Sequence, residues 1–378
     1  MHPPLPRGLA GVTLGKVVAN TALRAPYVFL TPVAEHLHTT VGHLGFLLGM
    51  AELGGLSTAL IGRSLDRGRY PQWIVTGAAA GAAGSAVMAT LHTALGFAGG
   101  FALAAAGVAW YTTAGHAWLG REVPYERRGR SIGLFETSWA VALLVGVPIV
   151  GFLLTLGRWW TPFAALSALS LVSAGLLWRA LPRRAETEPP AAPARLRPNP
   201  RVVLTLTGSF AITFASISVF AVYGSWLHDR FGLSTRVVGV LSVSIGLAEL
   251  MASGATARFT DRWGKAVSVR RGSMVMAVGV VAVVASPRVA AFGVAALVIV
   301  FLGFEFAFVS LLSIVSEVGV DQRGAVLGVD HSLTTVSRAL SAALATTLYD
   351  AHGIGLAAAI SLSAVALSAL AFGLAKVG

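Results

Sequence analysis

The stretch RFTDRWGK, Arg258 to Lys265, places an aspartate and several cations between two long apolar runs. VVGVLSVSIGLAELMASGATA precedes it and GSMVMAVGVVAVV follows soon after it. A related string, GRSLDRGR, occurs at Gly62 to Arg69. Only 12% of the residues are charged. Two such charged connections, each lying between apolar segments, therefore call for a structural explanation.

The composition is that of a chain that lies in a lipid bilayer. Of its 378 residues, 55% are hydrophobic and 43 are glycine, and such a chain cannot cover a water-soluble domain with polar groups. A helix of about 20 apolar residues crosses about 30 Å of hydrocarbon, and windows of this length predict twelve spans. They cover residues 8–34, 42–62, 71–93, 95–119, 131–155, 161–181, 201–227, 236–257, 270–286, 289–316, 324–348 and 354–376.

The positive charge lies on one side of the predicted bilayer. The connections after even-numbered spans carry 19 Lys and Arg, whereas those after odd-numbered spans carry four, Arg158, Arg230, Arg236 and Arg288. The positive-inside rule therefore predicts a multi-pass protein of the cell membrane with both termini in the cytoplasm. This distribution explains the net charge of +12 without nucleic acid as a partner.

Two further features of the sequence narrow the class of protein. The chain has no cysteine, which excludes disulfides, thiolate metal sites and thiol catalysis. The start, MHPPLPRGLAGVTLGKVV, runs into a full span without a small-residue cleavage site, so we expect a retained first helix and no signal peptide.

A linker divides the predicted spans into two sets of six. Residues 182–200, PRRAETEPPAAPARLRPNP, are rich in proline and charge and are typical of an extended connection. We therefore predict an N-terminal bundle at 1–181, a cytoplasmic linker at 182–200 and a C-terminal bundle at 201–378. An offset of 195 residues superimposes the two halves, and the matched pairs are Asp66 and Asp261, Arg67 and Arg262, Arg128 and Arg323, Gly129 and Gly324, and Gly133 and Gly328.

Two six-helix halves in the same orientation are typical of parallel-repeat transporters, and the chain resembles the major facilitator superfamily along essentially its whole length. That family carries a signature of the form G-x-L-A-D-R-x-G-R-K between helices 2 and 3. The second copy here, ARFTDRWGK, has Ala257 in place of the leading glycine, and the first copy lacks the residue between Arg67 and Gly68. The resemblance implies an all-α membrane fold of twelve helices in two pseudo-symmetric bundles.

The resemblance also assigns the charged connections to a cytoplasmic gate. An aspartate and its cationic neighbours at a turn between helices can bond to helix ends in one conformation and release them in another; anchoring at the membrane surface is the alternative explanation. The predicted gate residues are Gly62, Asp66, Arg67, Asp261, Arg262 and Gly264.

The string VGVPIVG in the fifth span resembles the Gly-Pro motif of the superfamily's antiporters, usually G-P-x-x-G-G. Here Val147 lies between Gly146 and Pro148, and Gly151 follows. Proline removes a backbone donor and bends a helix, so we predict a kink. A packing role without any bearing on transport direction is the alternative.

Polar residues in the predicted spans are candidates for function, because an ionisable group in hydrocarbon is costly unless it is paired or hydrated. Lys16, Asn20, Arg24 and Tyr27 are spaced so that they share one face of the first helix. In the family this helix borders the central cavity, so the resemblance implies that the face forms a cavity wall. The further predicted cavity residues are Trp110, Tyr111 and Arg338.

Several acidic residues are candidates for proton coupling. Glu52, Glu249 and Glu305 lie near the middle of their spans, and a carboxyl in a poorly hydrated cavity can bind and release a proton near neutral pH. The sequence does not decide which of the three carries the proton. Glu136, Asp330 and His331 are further candidates, and Glu136 aligns with His331 in the repeat.

These features predict a secondary transporter that moves a small organic solute by alternating access, with proton-coupled efflux resembling the drug antiporter branch. Transport of an organic anion is the alternative, favoured by Lys16 and Arg24, and a non-transporting membrane sensor is the alternative of another class. No HExxH, Gly-x-Ser-x-Gly or Walker motif is present, so an enzyme is not predicted. We expect a monomer in the lipid bilayer that uses protons and a small-molecule substrate, with no metal and no cofactor besides the proton gradient.

Overall fold

The computed structural model describes residues 8–182, 199–318 and 322–374. Most of the predicted linker, 183–198, lies outside these ranges, as do residues 1–7 and 375–378. The described chain is helical and contains no strand.

Helices follow one another closely along the first half of the chain. Within the described ranges they are α1 (Leu9–Val28), α2 (Leu30–His36), α3 (Val41–Ala51), α4 (Thr58–Asp66), α5 (Tyr70–Thr90), α6 (Ala94–Glu122), α7 (Tyr125–Glu136), α8 (Ser138–Val141), α9 (Val147–Leu154) and α10 (Thr161–Ala180). A 3₁₀ turn, Glu52–Ser57, joins α3 to α4, and a π turn, Ala142–Gly146, joins α8 to α9.

The second half repeats this organisation with longer uninterrupted helices. They are α11 (Pro200–Phe220), α12 (Tyr223–Phe231), α13 (Thr235–Trp263), α14 (Lys265–Ala285), α15 (Ala290–Glu317), α16 (Arg323–His352) and α17 (Ile354–Leu374). The first predicted span of each half is broken after about 20 residues, at Phe29 between α1 and α2 and at Ala221–Val222 between α11 and α12.

Ten helical runs in the described chain are long and apolar enough to cross a membrane. Two of the predicted spans, 8–34 and 324–348, form α1–α2 and α16, which are not among the ten. Both contain ionisable residues, such as Lys16 in α1 and Asp330 in α16, that lower their hydropathy. The all-helical membrane fold is therefore confirmed, whereas the count of twelve spans stays a prediction.

The chain divides into two compact units by its internal contacts. The first comprises Met1–Pro26 and Ala51–Ala191, and the second comprises Tyr27–Met50 and Ala192–Gly378. The segment that contains α2 and nearly all of α3 thus groups with the second half of the chain.

Glycines bring α5 and α6 together in the first unit. A side chain at Gly77 would collide with the carbonyl oxygen of Gly107, and one at Gly84 with that of Gly100. Small residues at a helix interface allow backbones to approach in a bilayer, where apolar burial does little to hold helices together. Around this contact, α1, α5, α6, α7 and α10 share a core that includes Tyr111, Trp118, Phe135 and Leu177.

The same packing recurs in the second unit at positions related by the repeat. The offset of 195 carries Gly77 to Gly272 and Gly84 to Gly279. A side chain at Gly272 would collide with the backbone at Gly303 and Ala307 of α15, and one at Gly279 with Val300. The two halves therefore share the positions of their packing glycines as well as those of their charged connections.

The segment Tyr27–Met50 packs closely on other helices of the second unit. The Thr31 hydroxyl donates a hydrogen bond to Ser225 Oγ at 2.8 Å. Along α3, side chains at Gly42, Gly45 and Gly49 would collide with α16, at Asp350, at Thr346 and at the Ala343 backbone respectively. Glycine at these positions thus permits direct contact between α3 and α16.

Candidate functional site

The polar face of α1 contacts α7 and α8 within the first unit. Lys16, Asn20 and Arg24 lie four residues apart on α1, and each contacts the chain between Glu136 and Trp139. Three of the four residues predicted on this face therefore meet one short segment.

Lys16 forms an ion pair with Glu136. The distance from Lys16 Nζ to Glu136 Oε1 is 2.6 Å, and the exposed fraction of the side chain is 0% for Lys16 and 34% for Glu136. The ammonium also lies 3.9 Å from the centre of the Phe135 ring, which is a cation–π contact. The positive charge of Lys16 is thus held inside the unit by a carboxylate and an aromatic face.

His116 of α6 reaches the same carboxylate oxygen. Its Nε2 lies 2.8 Å from Glu136 Oε1, and 44% of its side chain is exposed. The imidazole also packs edge to face on Phe135, with ring centres 5.4 Å apart. A side chain at Gly115, the neighbour of His116, would collide with Phe135, so this glycine allows α6 to approach the pair.

Asn20 and Arg24 extend the contact along α1. Asn20 Nδ2 donates to Ser138 Oγ at 3.1 Å, and the Ser138 hydroxyl donates to the Phe135 carbonyl at 2.7 Å. Arg24 donates to the Trp139 carbonyl at 3.3 Å, and its guanidinium lies 5.1 Å from the centre of the Trp139 ring. Asn20 is fully buried. We call Lys16, Asn20, Arg24, His116, Glu136, Ser138 and Trp139 the α1–α7 polar cluster.

The predicted aromatic residues of the fourth span, Trp110 and Tyr111, have different environments. Tyr111 is fully buried, and its hydroxyl donates to the Val12 carbonyl at 2.8 Å. Trp110 Nε1 donates to Ser57 Oγ at 2.9 Å, and its ring packs edge to face on Trp73. Tyr111 thus links α6 to α1 by a hydrogen bond, and Trp110 links α6 to the 3₁₀ turn in the same way.

The second unit contains the predicted residues Tyr27, Asp330, His331 and Arg338. Tyr27 packs edge to face on Phe220, with ring centres 6.5 Å apart. Asp330 is 7% exposed, and the Ser209 side chain hydrogen-bonds to its carboxyl. His331 and Arg338 are partly buried on α16.

A seam of hydroxyl groups joins α16 to α11 beyond Asp330. Ser337 donates to the Phe210 carbonyl at 2.7 Å, and Ser341 donates to the Phe214 carbonyl at 2.6 Å. A cavity of about 280 Å³ lies along these two helices and is lined by Val203, Leu206, Thr207, Phe210 and Leu333.

Of the three mid-span glutamates, Glu52 belongs to the first unit, and Glu249 and Glu305 belong to the second. Glu52 is 4% exposed at the start of the 3₁₀ turn in the first unit. Glu249 is 3% exposed on α13, one helical turn before Ser253, whose hydroxyl donates to Glu305 Oε1 at 2.7 Å. Glu249 and Glu305 therefore lie on two helices that contact each other in the second unit.

The predicted gate residues lie at the ends of α4 and α13. Asp66 and Arg67 are exposed at the end of α4, and Gly62 is one turn earlier. Asp261 and Arg262 are exposed in the last turn of α13, which ends before Gly264.

Both gate turns depend on glycine and are held by nearby contacts. Gly68 has a φ of 74° and Gly264 a φ of 85°, values that favour glycine. Beside the second turn, Lys265 pairs with Glu317 of α15, and Arg271 lies 4.4 Å from the centre of the Trp263 ring.

The predicted kink in the fifth span is a π turn. The Val147 amide donates to the Ala142 carbonyl, five residues back, and Pro148, which has no amide donor, follows at the start of α9. A side chain at Gly146 would collide with Thr21 of α1. Gly151 is buried further along α9.

Sequence reasoning missed several residues of the cluster. It did not select His116, Ser138 or Trp139, nor Phe135, which packs against Lys16 and His116. Glu136, Ser138 and Trp139 are close neighbours in sequence, but nothing in their spacing indicated contact with α1. In the described chain, no group of three or more His, Asp or Glu side chains is arranged to hold a metal ion.

Comparison with known proteins agrees with this fold. Residues 12–342 match the Major Facilitator Superfamily. The chain is 26% identical over 287 residues to the uncharacterised MFS-type transporter YwfA of Bacillus subtilis strain 168, which covers 72% of this chain and 68% of that protein. It is also 26% identical over 153 residues to the uncharacterised MFS-type transporter YceJ of the same organism, and this match spans only 39% of each.

A solved structure shows the same architecture. The bacterial homologue of the human lysosomal transporter Spinster superimposes with a TM-score of 0.74, covering 97% of this chain and 94% of that one, at 14% identity. At this identity the likeness concerns the fold alone. Because the family match covers most of the sequence, the chain belongs to the Major Facilitator Superfamily, a family of multi-pass membrane transporters and not of enzymes.

Proposed function

We propose that the protein is a secondary transporter that exports a small organic solute across the cell membrane in exchange for protons. The observation that carries this proposal is the ion pair between Lys16, which is fully buried, and Glu136. An ionisable residue inside a membrane bundle is costly to keep and is therefore a candidate for function.

The ion pair offers a way for a proton to change the stable conformation. Breaking a buried pair by neutralising one partner is strongly destabilising, because the other charge remains in a poorly polar environment. Protonation of Glu136 would leave Lys16 in that position. A conformation that hydrates Lys16 would then be favoured, and a ligand or proton that binds one conformation better shifts the population toward it.

The parallel repeat supplies the architecture for this exchange. We propose that the halves at 1–181 and 201–378 alternate access to a site in the middle of the membrane, with both termini in the cytoplasm and with no cofactor besides the proton gradient. The charged turns around Asp66 and Asp261 occupy related positions in the repeat, which supports their assignment to one cytoplasmic gate. The chain's resemblance to the drug antiporter branch supports efflux.

The residues that line the cavity along α11 and α16 favour an apolar or amphipathic solute. The cavity along α11 and α16 is lined by Phe210, whose ring stacks on that of Phe214 with ring centres 6.1 Å apart. Mostly apolar pockets with a few polar groups are typical of small-molecule sites. An organic anion is the second candidate, because the cationic groups of Lys16 and Arg24 both lie on one face of α1 around Trp139.

Transport by reconstituted protein tests the proposal. Liposomes that contain the protein and a trapped pH indicator are given a pH gradient, and lipophilic cations, neutral amphiphiles and organic anions are added in turn. At least one class should collapse the gradient faster than in protein-free liposomes. The Glu136→Gln variant should lose this effect, whereas Glu35→Gln, a change at an exposed carboxylate outside the polar cluster, should keep it.

Three results would contradict parts of the proposal. If no class moves protons although labelled solute still crosses the membrane, transport is not proton-coupled. If Glu136→Gln retains full coupling, the pair with Lys16 is not the coupling site. If anions alone are moved, and Arg24→Ala weakens them, the second candidate is supported and export of an apolar or cationic solute is rejected.

A further inference from the structure

We propose that His116 is the group that delivers a proton to Glu136 and receives it back, and that this transfer breaks the Lys16–Glu136 ion pair. The inference rests on the proposed function, because it names the route by which the coupling carboxylate is protonated.

The first observation is that a single oxygen atom, Glu136 Oε1, lies within hydrogen-bond distance of two nitrogen atoms. Glu136 Oε1 lies 2.6 Å from Lys16 Nζ and 2.8 Å from His116 Nε2. Both distances are those of strong hydrogen bonds to a charged acceptor. A carboxylate oxygen held between two nitrogen donors is placed for direct transfer of a proton from one of them.

The second observation is a gradient of exposure across the three groups. The side chain of His116 is 44% exposed, that of Glu136 34% and that of Lys16 0%. His116 is therefore the member of the trio that exchanges protons with the surroundings most readily. It lies on α6 six residues before Glu122, at the end of the helix that the positive-inside rule places toward the cytoplasm.

The third observation concerns the groups that surround the pair. Phe135 contacts both nitrogen donors: Lys16 Nζ lies 3.9 Å from its ring centre, and the imidazole of His116 packs edge to face with it, with ring centres 5.4 Å apart. The polar groups that face this region are Asn20 and Arg24 from α1, Tyr111 from α6, and Ser138 from α8. Tyr70 of α5 and Arg121 and Glu122 of α6 form a separate charged set at the helix ends.

The step balances in atoms and charge. Imidazolium at His116 gives the proton on Nε2 to Glu136 Oε1, which leaves neutral imidazole and a neutral carboxylic acid. Lys16 keeps its proton and loses its anionic partner. The charge that held α1 against this segment is then lost, and α1 separates from both α7 and α8, which breaks the hydrogen bonds of Asn20 to Ser138 and of Arg24 to Trp139.

The absence of cysteine from the chain allows a direct test of this separation. Ser138 is fully buried against α1, so the Ser138→Cys substitution introduces a single thiol that reports whether α1 stays in place. Its rate of modification by a maleimide is measured between pH 5 and pH 8. Dividing by the rate in denatured protein at each pH removes the dependence of thiol reactivity on pH.

We expect the rate at pH 5 to be about ten times the rate at pH 8, because protonation of His116 starts the transfer. His116→Gln should abolish this rise and keep the rate low. Glu136→Gln should give a high rate at every pH, because Lys16 has no anionic partner in that variant. His92→Gln is the matched control, since His92 is a second histidine that hydrogen-bonds a helix-end carbonyl, and it should behave like the parent.

Two measurements separate this inference from the proposed function. If His116→Gln keeps the pH-dependent rise, His116 is not the proton donor, even where liposomes show coupled transport. If the labelling pattern is as expected but no solute moves protons, the proposed function fails and the role of His116 stands. Should His116→Gln not fold, the titration of ¹⁵N-labelled His116 is followed in the parent and in Glu136→Gln; an unchanged titration overturns the inference.

Discussion

Lys16 and Glu136 form one ion pair but differ in exposure, and this difference predicts unequal effects when either charge is removed. Glu136→Gln leaves a fully buried ammonium without an anion and should destabilise the protein by about 3 kcal/mol. Lys16→Met leaves a carboxylate that is one-third exposed and still contacts His116, so the loss should be smaller, about 1 kcal/mol. Thermal unfolding in detergent micelles measures both.

The double variant Lys16→Met with Glu136→Gln is the control for this comparison. The double variant places an apolar side chain opposite a neutral amide and so has neither charge. It should therefore be more stable than the single variant Glu136→Gln. Equal losses in the two single variants would contradict the argument from exposure, and additive losses in the double variant would show that the pair is not electrostatically coupled.

Gly146 and Thr21 make a second close contact of α1. A side chain at Gly146 would collide with the Thr21 side chain, so Gly146→Ala should cost about 2 kcal/mol of stability, as is typical of overpacking. Adding Thr21→Ala should recover part of this loss. Gly99→Ala is a suitable control because open space surrounds that position. A Gly146→Ala protein as stable as Gly99→Ala would contradict the contact.

The sequence predicted the polar face of α1 but not its partner. A spacing of four residues places Lys16, Asn20 and Arg24 on one side of any helix, so this inference needed no tertiary information. The contact with Glu136 depends on how α1 lies against α7, which periodicity does not determine. His116 was not selected for the same reason, because its contact is with Glu136, which lies 20 residues away in the sequence.

At the level of helices, the π turn explains the unusual spacing of the VGVPIVG motif. The motif has one residue more between glycine and proline than the family pattern, and a π turn is the structure that results when one residue is inserted into an α-helix. Proline is compatible with this arrangement, because Pro148 has no backbone N–H that would need a carbonyl acceptor in the preceding turn. The sequence therefore predicted a distortion here, but proline alone did not distinguish a kink from a π turn.

Removing the inserted residue tests this interpretation. Deletion of Val147 should convert the π turn to an α-helix and rotate α9 by about 100°. Val150 and Gly151, which are buried, would then face outward, so the variant should be clearly less stable. Val147→Ala keeps the residue count and should lose much less. If thermal unfolding shows the reverse order, the extra residue does not set the orientation of α9.

The 3₁₀ turn at Glu52–Ser57 is an element that the sequence did not predict. The apolar pattern continues through it, and the corresponding part of the second half lies within the continuous helix α13. Gly54 and Gly55 lie in the turn, and a side chain at Gly54 would collide with the Ala102 carbonyl of α6. Close contact with α6 thus accompanies the change in helix type, and such contacts are not visible in hydropathy.

For the whole molecule, the repeat carried most of the fold prediction. One offset aligned Asp66 with Asp261, and it also aligns the packing glycines Gly77 and Gly84 with Gly272 and Gly279. Because the sequence repeat produces repeated helix packing, the architecture could be predicted from the sequence.

The candidate sites were harder to predict from the repeat, because the two halves carry different residues at the positions of the ion pair. Glu136 aligns with His331, and Lys16 aligns with Ala211, so the ion pair of the first unit has no counterpart in the second. The corresponding seam between α11 and α16 is held instead by serine hydroxyls.

The distribution of positive charge predicts the orientation of the whole chain, and single cysteines in this cysteine-free protein can test it. Glu122 is exposed at the end of α6, after an even-numbered span. Leu156 is 61% exposed after α9, which completes an odd-numbered span. Because Lys and Arg stay on the cytoplasmic side, a membrane-impermeant maleimide should label Leu156→Cys in intact spheroplasts and Glu122→Cys only after permeabilisation. Labelling in the opposite order would place both termini outside the cytoplasm and would reverse the direction assigned to proton-driven export.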